Sequence, residues 1–313
     1  MASDPGRWGH SLGNLFEVWL PLLDAARPRT VIEVGAYAGD VTRMLLDWAR
    51  GNGARIYSVD PDPQPALVQL AAAHDELELV TTTSRDALPD LPPPDAAIID
   101  GDHNYYTVSE ELRLIAERTR PLLPLIICHD AGWPHGRRDV YYAPETIPAE
   151  RRQPSADGGF LFPGVRGLHE GGLPYRNPAL QEGGPGNGVL TAIEDFAAAR
   201  ADTEMAVVPA FFGLAVLWSG QVSWAEQVSS LLEPWVDNPL LERLEANRVL
   251  HLAGRELEAA RAAWCREGSR RKDEFLGKLV QSRTFEIAVW LSGLRRRGEP
   301  AFSKDEVREL LGG

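Results

Sequence analysis

Between Thr30 and about Trp218, short apolar runs alternate with longer stretches in which apolar residues recur at helical spacing. TVIEVG (30–35), RIYSVD (55–60), LELVTT (77–82), DAAIID (95–100) and LIICHD (125–130) are almost continuously apolar. That pattern belongs to central parallel strands covered on both faces. EMAVVP (204–209) and FGLAVLW (212–218) add two further strands with a short link between them. The 3.6-residue period predicts helices over 40–50, 65–74, 105–119 and 188–200, and SLGNLFEVWLPLLDAA predicts another packed against the sheet. Alternation of the two patterns gives an α/β layer fold.

Two segments break the rhythm. Residues 131–188 are rich in Gly, Pro and Arg and far too long for an ordinary connection, which marks a lid or binding loop. From about 220 to the end the pattern is helical. Asn238-Pro239 has the form of an N-cap followed by proline at the first helical position. Ala246, Val249, Ala253, Leu257, Ala260 and Trp264 then recur on one face. Ser303-Lys304-Asp305-Glu306 has the form of a capping box. The expected organisation is one α/β domain over 1–219, with the lid inside it, and a helical extension over 220–313 suited to packing or homo-oligomer formation.

Bulk properties narrow the class. The 313 residues carry a formal net charge of -13, which disfavours a nucleic-acid partner, although Arg270-Arg271-Lys272 and Arg295-Arg296-Arg297 are local basic patches. No apolar run is long enough to span a bilayer, and the N-terminus lacks the basic start and apolar core of a secretory signal. Two cysteines, Cys128 and Cys265, provide neither a disulfide framework nor a cysteine-rich zinc site. A cytoplasmic enzyme or binding protein with no membrane partner is expected.

The first strand leads into a glycine turn, Glu33-Val34-Gly35-Ala36-Tyr37-Ala38-Gly39. Glycines there allow a tight strand-to-helix turn and close backbone approach to a ligand. Tyr37 occupies the place where a dinucleotide fold needs its second glycine, so the pyrophosphate cradle is missing and a ligand without phosphate is the better expectation. Asp60, at the end of the second strand, can accept both hydroxyl protons of a ribose.

This combination resembles the class I S-adenosylmethionine-dependent methyltransferases over roughly residues 10–218. Their E/D-x-G-x-x-x-G motif is matched from Glu33 to Gly39, and their acidic ribose binder by Asp60. The resemblance implies a doubly wound, seven-stranded, mostly parallel sheet closed by an antiparallel last strand. It also implies S-adenosyl-L-methionine as cofactor, with Glu33 and the Gly35, Ala36, Tyr37 and Gly39 backbone near its methionine part. Ser84, Arg85 and Asp86 would lie near the adenine, with Asp100 also on the cofactor side.

After the fourth strand comes Asp100-Gly101-Asp102-His103, and His129-Asp130 ends the fifth. Strand ends in a parallel sheet open on the ligand crevice, and neighbouring strands lie about 4.8 Å apart. Asp100 and Asp130 can therefore share one ion, magnesium or, when an imidazole joins, manganese. Such an ion acidifies and orients a hydroxyl acceptor, and Asp102 or His103 is placed to take the proton. The arrangement resembles the metal-dependent O-methyltransferases of sugar hydroxyls in natural products. In those, a D-x-D or D-x-x-H run supplies a metal carboxylate and the base, and an acidic pair after the fifth strand supplies further ligands. Here His129 replaces the first of that pair. Structural roles compete: Asp102 as cap of the following helix, and His129 as a core histidine bonded to a backbone carbonyl. In the lid, Trp133, Arg137, Arg138, Tyr141 and Tyr142 are candidates for holding a small polar acceptor or for packing the lid down, while His135 and His169 have no assigned role. The expected activity is methyl transfer from S-adenosylmethionine to a hydroxyl of a sugar or glycosylated natural product. Rivals are metal-independent N-methylation, a nicotinamide-dependent oxidoreductase and a non-catalytic assembly protein.

Overall fold

The computed structural model describes residues 12–295 and residue 306. Five parallel strands, β1 (Thr30–Val34), β2 (Arg55–Val59), β3 (Leu77–Val80), β4 (Ala96–Ile99) and β5 (Leu125–His129), are joined by helices. A short 3₁₀ turn and α1 (Phe16–Ala26) precede them. Between them run α2 (Asp40–Asn52), α3 (Pro65–Ala73), α4 (Ser84–Ala87) and α5 (Tyr105–Arg118). After β5 comes the lid, whose only strands are β6 (Gly159–Leu161) and β7 (Leu173–Tyr175), paired as an antiparallel ribbon. The chain then returns through α6 (Val189–Ala198), β8 (Thr203–Val208) and β9 (Leu214–Ser219).

The sheet has the order β3-β2-β1-β4-β5-β9-β8, with β9 antiparallel to both of its neighbours. It is the doubly wound, seven-stranded, mostly parallel sheet expected. Alternate strand residues feed two cores. Val31, Ile56, Ala96, Ile98 and Ile127 pack with α1, α2 and α7 (Ala225–Leu232) on one face. Ile32, Val59, Ala97, Ile99 and Ile126 pack with α5 and α6 on the other. Each face therefore buries its own alternate positions, which explains why the strands look continuously apolar in sequence.

The strands are shorter than their apolar runs at the C-terminal end. Gly35, Asp60, Asp100 and Asp130 all fall outside the ladder. Asp130 takes φ 58°, a left-handed backbone that is unusual for a residue other than glycine. Phe212 and Gly213, expected in the last strand, form the β8–β9 turn with Phe211 instead, all three at positive φ. Strand order reverses between β1 and β4, so the crevice opens where their connections leave in opposite directions.

The compact unit carrying the sheet extends to Gly254, and a second begins at Arg255. The sheet-bearing unit reaches past residue 219 because α7 packs on α1 and the first turns of α8 (Pro239–Val280) bury Val249 and Ala253 against Leu173 and Phe212. Asn238 caps α8 as expected, its side-chain oxygen accepting from the Leu240 and Leu241 amides at 3.1 and 3.2 Å. The second unit comprises the remainder of α8 and α9 (Arg283–Arg295), with Trp264, Phe275 and Trp290 exposed. Except for Glu306, the Ser303–Glu306 capping box lies outside the described residues, as does part of the Arg295–Arg297 patch. No helix among the described residues is long and apolar enough to cross a membrane.

Candidate active site

The site begins with a requirement for glycine. Gly35 takes φ +84°, and a Cβ there would lie 2.1 Å from the Asp100 carbonyl oxygen. Only glycine lets the ends of β1 and β4 meet at the switch point. The turn runs on through Tyr37 (φ 43°) to Gly39 (φ 80°), which starts α2. Asp60 fastens it: one carboxylate oxygen accepts the Tyr37 amide at 2.7 Å and the other the Asp62 amide at 2.8 Å. Glu33 is buried under the turn and accepts from the Thr42 and Ser58 hydroxyls at 2.7 and 2.5 Å. Burial raises its carboxyl to about 7, against the opposing effect of those two hydroxyls.

Glu33, Gly35, Ala36, Tyr37 and Ala38 line a cavity of about 450 Å³, together with Asp100, His103, Asp130 and His135. Its volume is in the range of small-molecule sites, and its glycine-turn wall offers backbone to a ligand at close range. At the floor, His103 Nε2 lies 2.8 Å from Asp130 Oδ2 and 3.9 Å from Asp100 Oδ1. His129 Nδ1 is 3.0 Å from Asp100 Oδ1 and 3.4 Å from Asp130 Oδ2. The other nitrogen of His129, Nε2, donates to the Phe211 carbonyl at 2.8 Å. That bond fixes Nδ1 as the nitrogen presented to the carboxylates. Burial opposes charge on His103 and His129, yet Asp130 and Asp100 outweigh it and hold both imidazoles well above their ordinary range. Burial likewise opposes the Asp130 carboxylate, but His103, His129 and His135 hold it well below its ordinary range.

Asp100, His129 and Asp130 bring one ligand atom each within 4.8 Å of one another, as do His103, Asp130 and His135. Carboxylate oxygens with an oriented imidazole nitrogen suit a divalent ion, so the donor set fits the metal expected from the sequence.

Residues 32–131, the glycine turn to the end of β5, match the family model of a methyltransferase domain. Over that segment the chain is similar to a methyltransferase domain. No curated protein matches the chain. Among solved structures, the methyltransferase PaMTH1 of Podospora anserina, bound to SAH, is 14% identical over 70% of this chain and 83% of its own, with a TM-score of 0.40. The O-methyltransferase TomG of Streptomyces achromogenes, in complex with SAM, is 15% identical over 70% and 81%, with a TM-score of 0.40. The 1,6-didemethyltoxoflavin-N1-methyltransferase of Burkholderia thailandensis is 16% identical over 66% and 77%, with a TM-score of 0.38.

Several expected site residues lie away from the cavity. Asp102 is not on the cavity wall. Its carboxylate accepts from the Asn104 side-chain amide, the Thr107 hydroxyl and the Tyr142 amide, tying the start of α5 to the lid. The cap of α5 is Asn104, which accepts the Thr107 amide at 2.9 Å, so Asp102 braces the cap rather than forming it. Ser84 donates to buried Glu111, and Arg85 reaches the Thr146 carbonyl and lies over the Tyr106 ring. Neither they nor Asp60 line the cavity.

In the lid, most of the candidate acceptor-holding residues are engaged in packing the lid itself. Arg138 is buried and donates to the Ala179 and Arg166 carbonyls, and Arg137 pairs with Glu194. Tyr141 is buried on Asp139, and Trp133 packs beside Leu173 and Phe212. Tyr142 alone of these faces the cavity, 5.5 Å from the His103 ring. Sequence reasoning passed over His135, which is buried, lines the cavity and lies tilted against His103 with ring centroids 4.3 Å apart. It also missed Tyr175 and Phe212 on the same wall. The available signal was proximity: His135 follows Asp130 by five residues in a turn that folds straight back over the strand end.

Proposed function

We propose that this protein transfers the methyl group of S-adenosylmethionine to a hydroxyl of a small polar acceptor, a sugar or glycosylated natural product. In this reading His103 is the general base, and Asp100, His129 and Asp130 hold a divalent ion. The observation that supports it is the convergence of Asp100, His103 and Asp130 on the cavity that Glu33 and Gly35 also line. When bound, the ion would lower the pKa of the acceptor hydroxyl and orient it. The imidazole of His129 in the donor set favours manganese over magnesium.

The chain's own residues supply the rest. Asp130 and Asp100 hold a proton on His103, so the ring serves as base only from its deprotonated form, taking the acceptor's proton at Nε2 while Asp130 stabilises the imidazolium that forms. His135, packed at a tilt against the ring, limits its rotation. Tyr142 and Tyr175 give the cavity aromatic faces against which the C–H face of a sugar can rest. Glu33, negative above about pH 7, favours the cationic methionine part of the donor.

The test is transfer of labelled methyl from S-adenosylmethionine to a panel of hydroxyl acceptors. EDTA abolishes turnover, added Mn2+ restores it, and Asp100→Asn cannot be restored. Turnover indifferent to both EDTA and Asp100→Asn would overturn the metal-assisted reading and favour metal-free N-methylation in the same cavity.

A further inference from the structure

A line of contacts runs from α8 to His129. The β8–β9 turn holds Phe211 and Phe212 at φ 47° and 69°, followed by Gly213 at φ 87°. Two bulky L residues in succession in the left-handed region are costly and persist only when their surroundings determine them. The three carbonyls of this turn all face the exit of β5. Phe211 accepts from His129 Nε2, Phe212 from the Gly132 amide and Gly213 from the Ala131 amide. The contact is close, since a Cβ at Gly213 would lie 2.3 Å from the Gly132 nitrogen.

The amides of the same turn point the other way, to one carboxylate. Glu245 on α8 accepts the Phe211 amide at 3.1 Å on one oxygen and the Phe212 amide at 2.8 Å on the other. Arg248, one turn along, pairs with both oxygens of Glu245 at 2.6 Å and lies 4.4 Å over the Phe212 ring. Val249 and Ala253 on the same helix are buried against Phe212 and Leu173, and Asn238 caps the helix start. Glu245 thus stands on a fixed helix, and charge-assisted bonds to two amides offset the strain of the turn.

We propose that Glu245 is a positioning residue for the active site: by gripping the Phe211–Phe212 turn it holds the carbonyl that orients His129, so that α8 completes the ligand set from outside the segment matched to the methyltransferase model. The metal arm of the test below rests on the proposed function, whereas the spectroscopic arm does not.

The experiment uses the full chain without added metal. In wild type, the His129 Nε2 proton on the Phe211 carbonyl gives a slowly exchanging ring N–H resonance, assigned by its loss in His129→Gln. Glu245→Ala abolishes that resonance well below the melting temperature. Val228→Ala, which opens a comparable defect in the core beside α1, retains it. If Glu245→Ala fails to fold, Glu245→Gln decides, since an amide offers one acceptor oxygen for two amides and the resonance exchanges faster. Calorimetry with Mn2+ alone shows affinity in Glu245→Ala falling roughly 10- to 100-fold, as for other groups that orient a metal ligand. Absence of the resonance from wild type, its persistence in the Glu245 variants, or its loss in Val228→Ala overturns the proposal. Wild type that fails to bind Mn2+ while its resonance still depends on Glu245 overturns the metal reading of the site and supports the positioning role.

Discussion

Glu33 offers a quantitative test of how the glycine turn is built. Its carboxyl is displaced from an ordinary 4.5 to about 7, chiefly by burial. At about 1.4 kcal/mol per pH unit, that displacement corresponds to about 3 kcal/mol. The sign follows from which state releases its proton first. Below pH 4.5 both folded and unfolded chains keep it, and nothing is lost. Between 4.5 and 7 the unfolded chain ionises while the folded one does not, so stability falls as pH rises. Above 7 both ionise and the loss levels off. Glu33→Gln has no proton to release, so its stability relative to wild type should climb by about 3 kcal/mol between pH 4 and pH 8. Every other titrating group cancels in the comparison. The assay is a urea titration of both proteins across that range in EDTA, followed by fluorescence of the buried Trp19, Trp48 and Trp218, which report on the sheet-bearing unit. A difference that stays flat from pH 5 to pH 8, or slopes the other way, would refute the burial argument.

Other perturbations separate chemistry from architecture. His103→Ala should lower kcat by about 10²- to 10⁴-fold while the KM for S-adenosylmethionine holds within a few-fold; steady-state kinetics with both substrates varied would show otherwise if the ring were structural. Gly35→Ala should lose S-adenosylhomocysteine binding in calorimetry, because its Cβ has no room beside the Asp100 carbonyl. Arg138→Met should lower stability by about 1–3 kcal/mol in a thermal melt, since it leaves the buried Ala179 carbonyl without its donor and the Arg166 carbonyl without a partner.

The sheet was legible because its physics is local. β1, β4 and β5 are buried on both faces, and Asn238-Pro239 announces α8 with two adjacent residues. The glycine turn was legible for the same reason, as Glu33 to Gly39 contain its whole geometry apart from Asp60. The lid was not. Its order comes from contacts between distant segments, such as Arg138 on the Ala179 carbonyl or Tyr141 on the Gln153 amide. A guanidinium in a Gly- and Pro-rich loop has the same sequence appearance whether it faces a ligand or the lid's own backbone. Glu245 was hidden differently: on a helix with many charged residues, nothing in the local pattern distinguishes a carboxylate that holds two amides from one paired only with its own helix.

Asp139 is buried at the base of the lid and accepts the Tyr105 and Gly188 amides and the Tyr141 hydroxyl, while its own amide donates to Asn187. One carboxylate therefore knots together the first residue of α5, the beginning of the lid and its end. The stretch from about residue 144 to 186 loops out between those ties and returns to pack Leu173 on Phe212 and Tyr175 on the cavity wall. Both ends of the lid are thus moored at one buried point beside the strand ends that carry Asp100, His103 and Asp130.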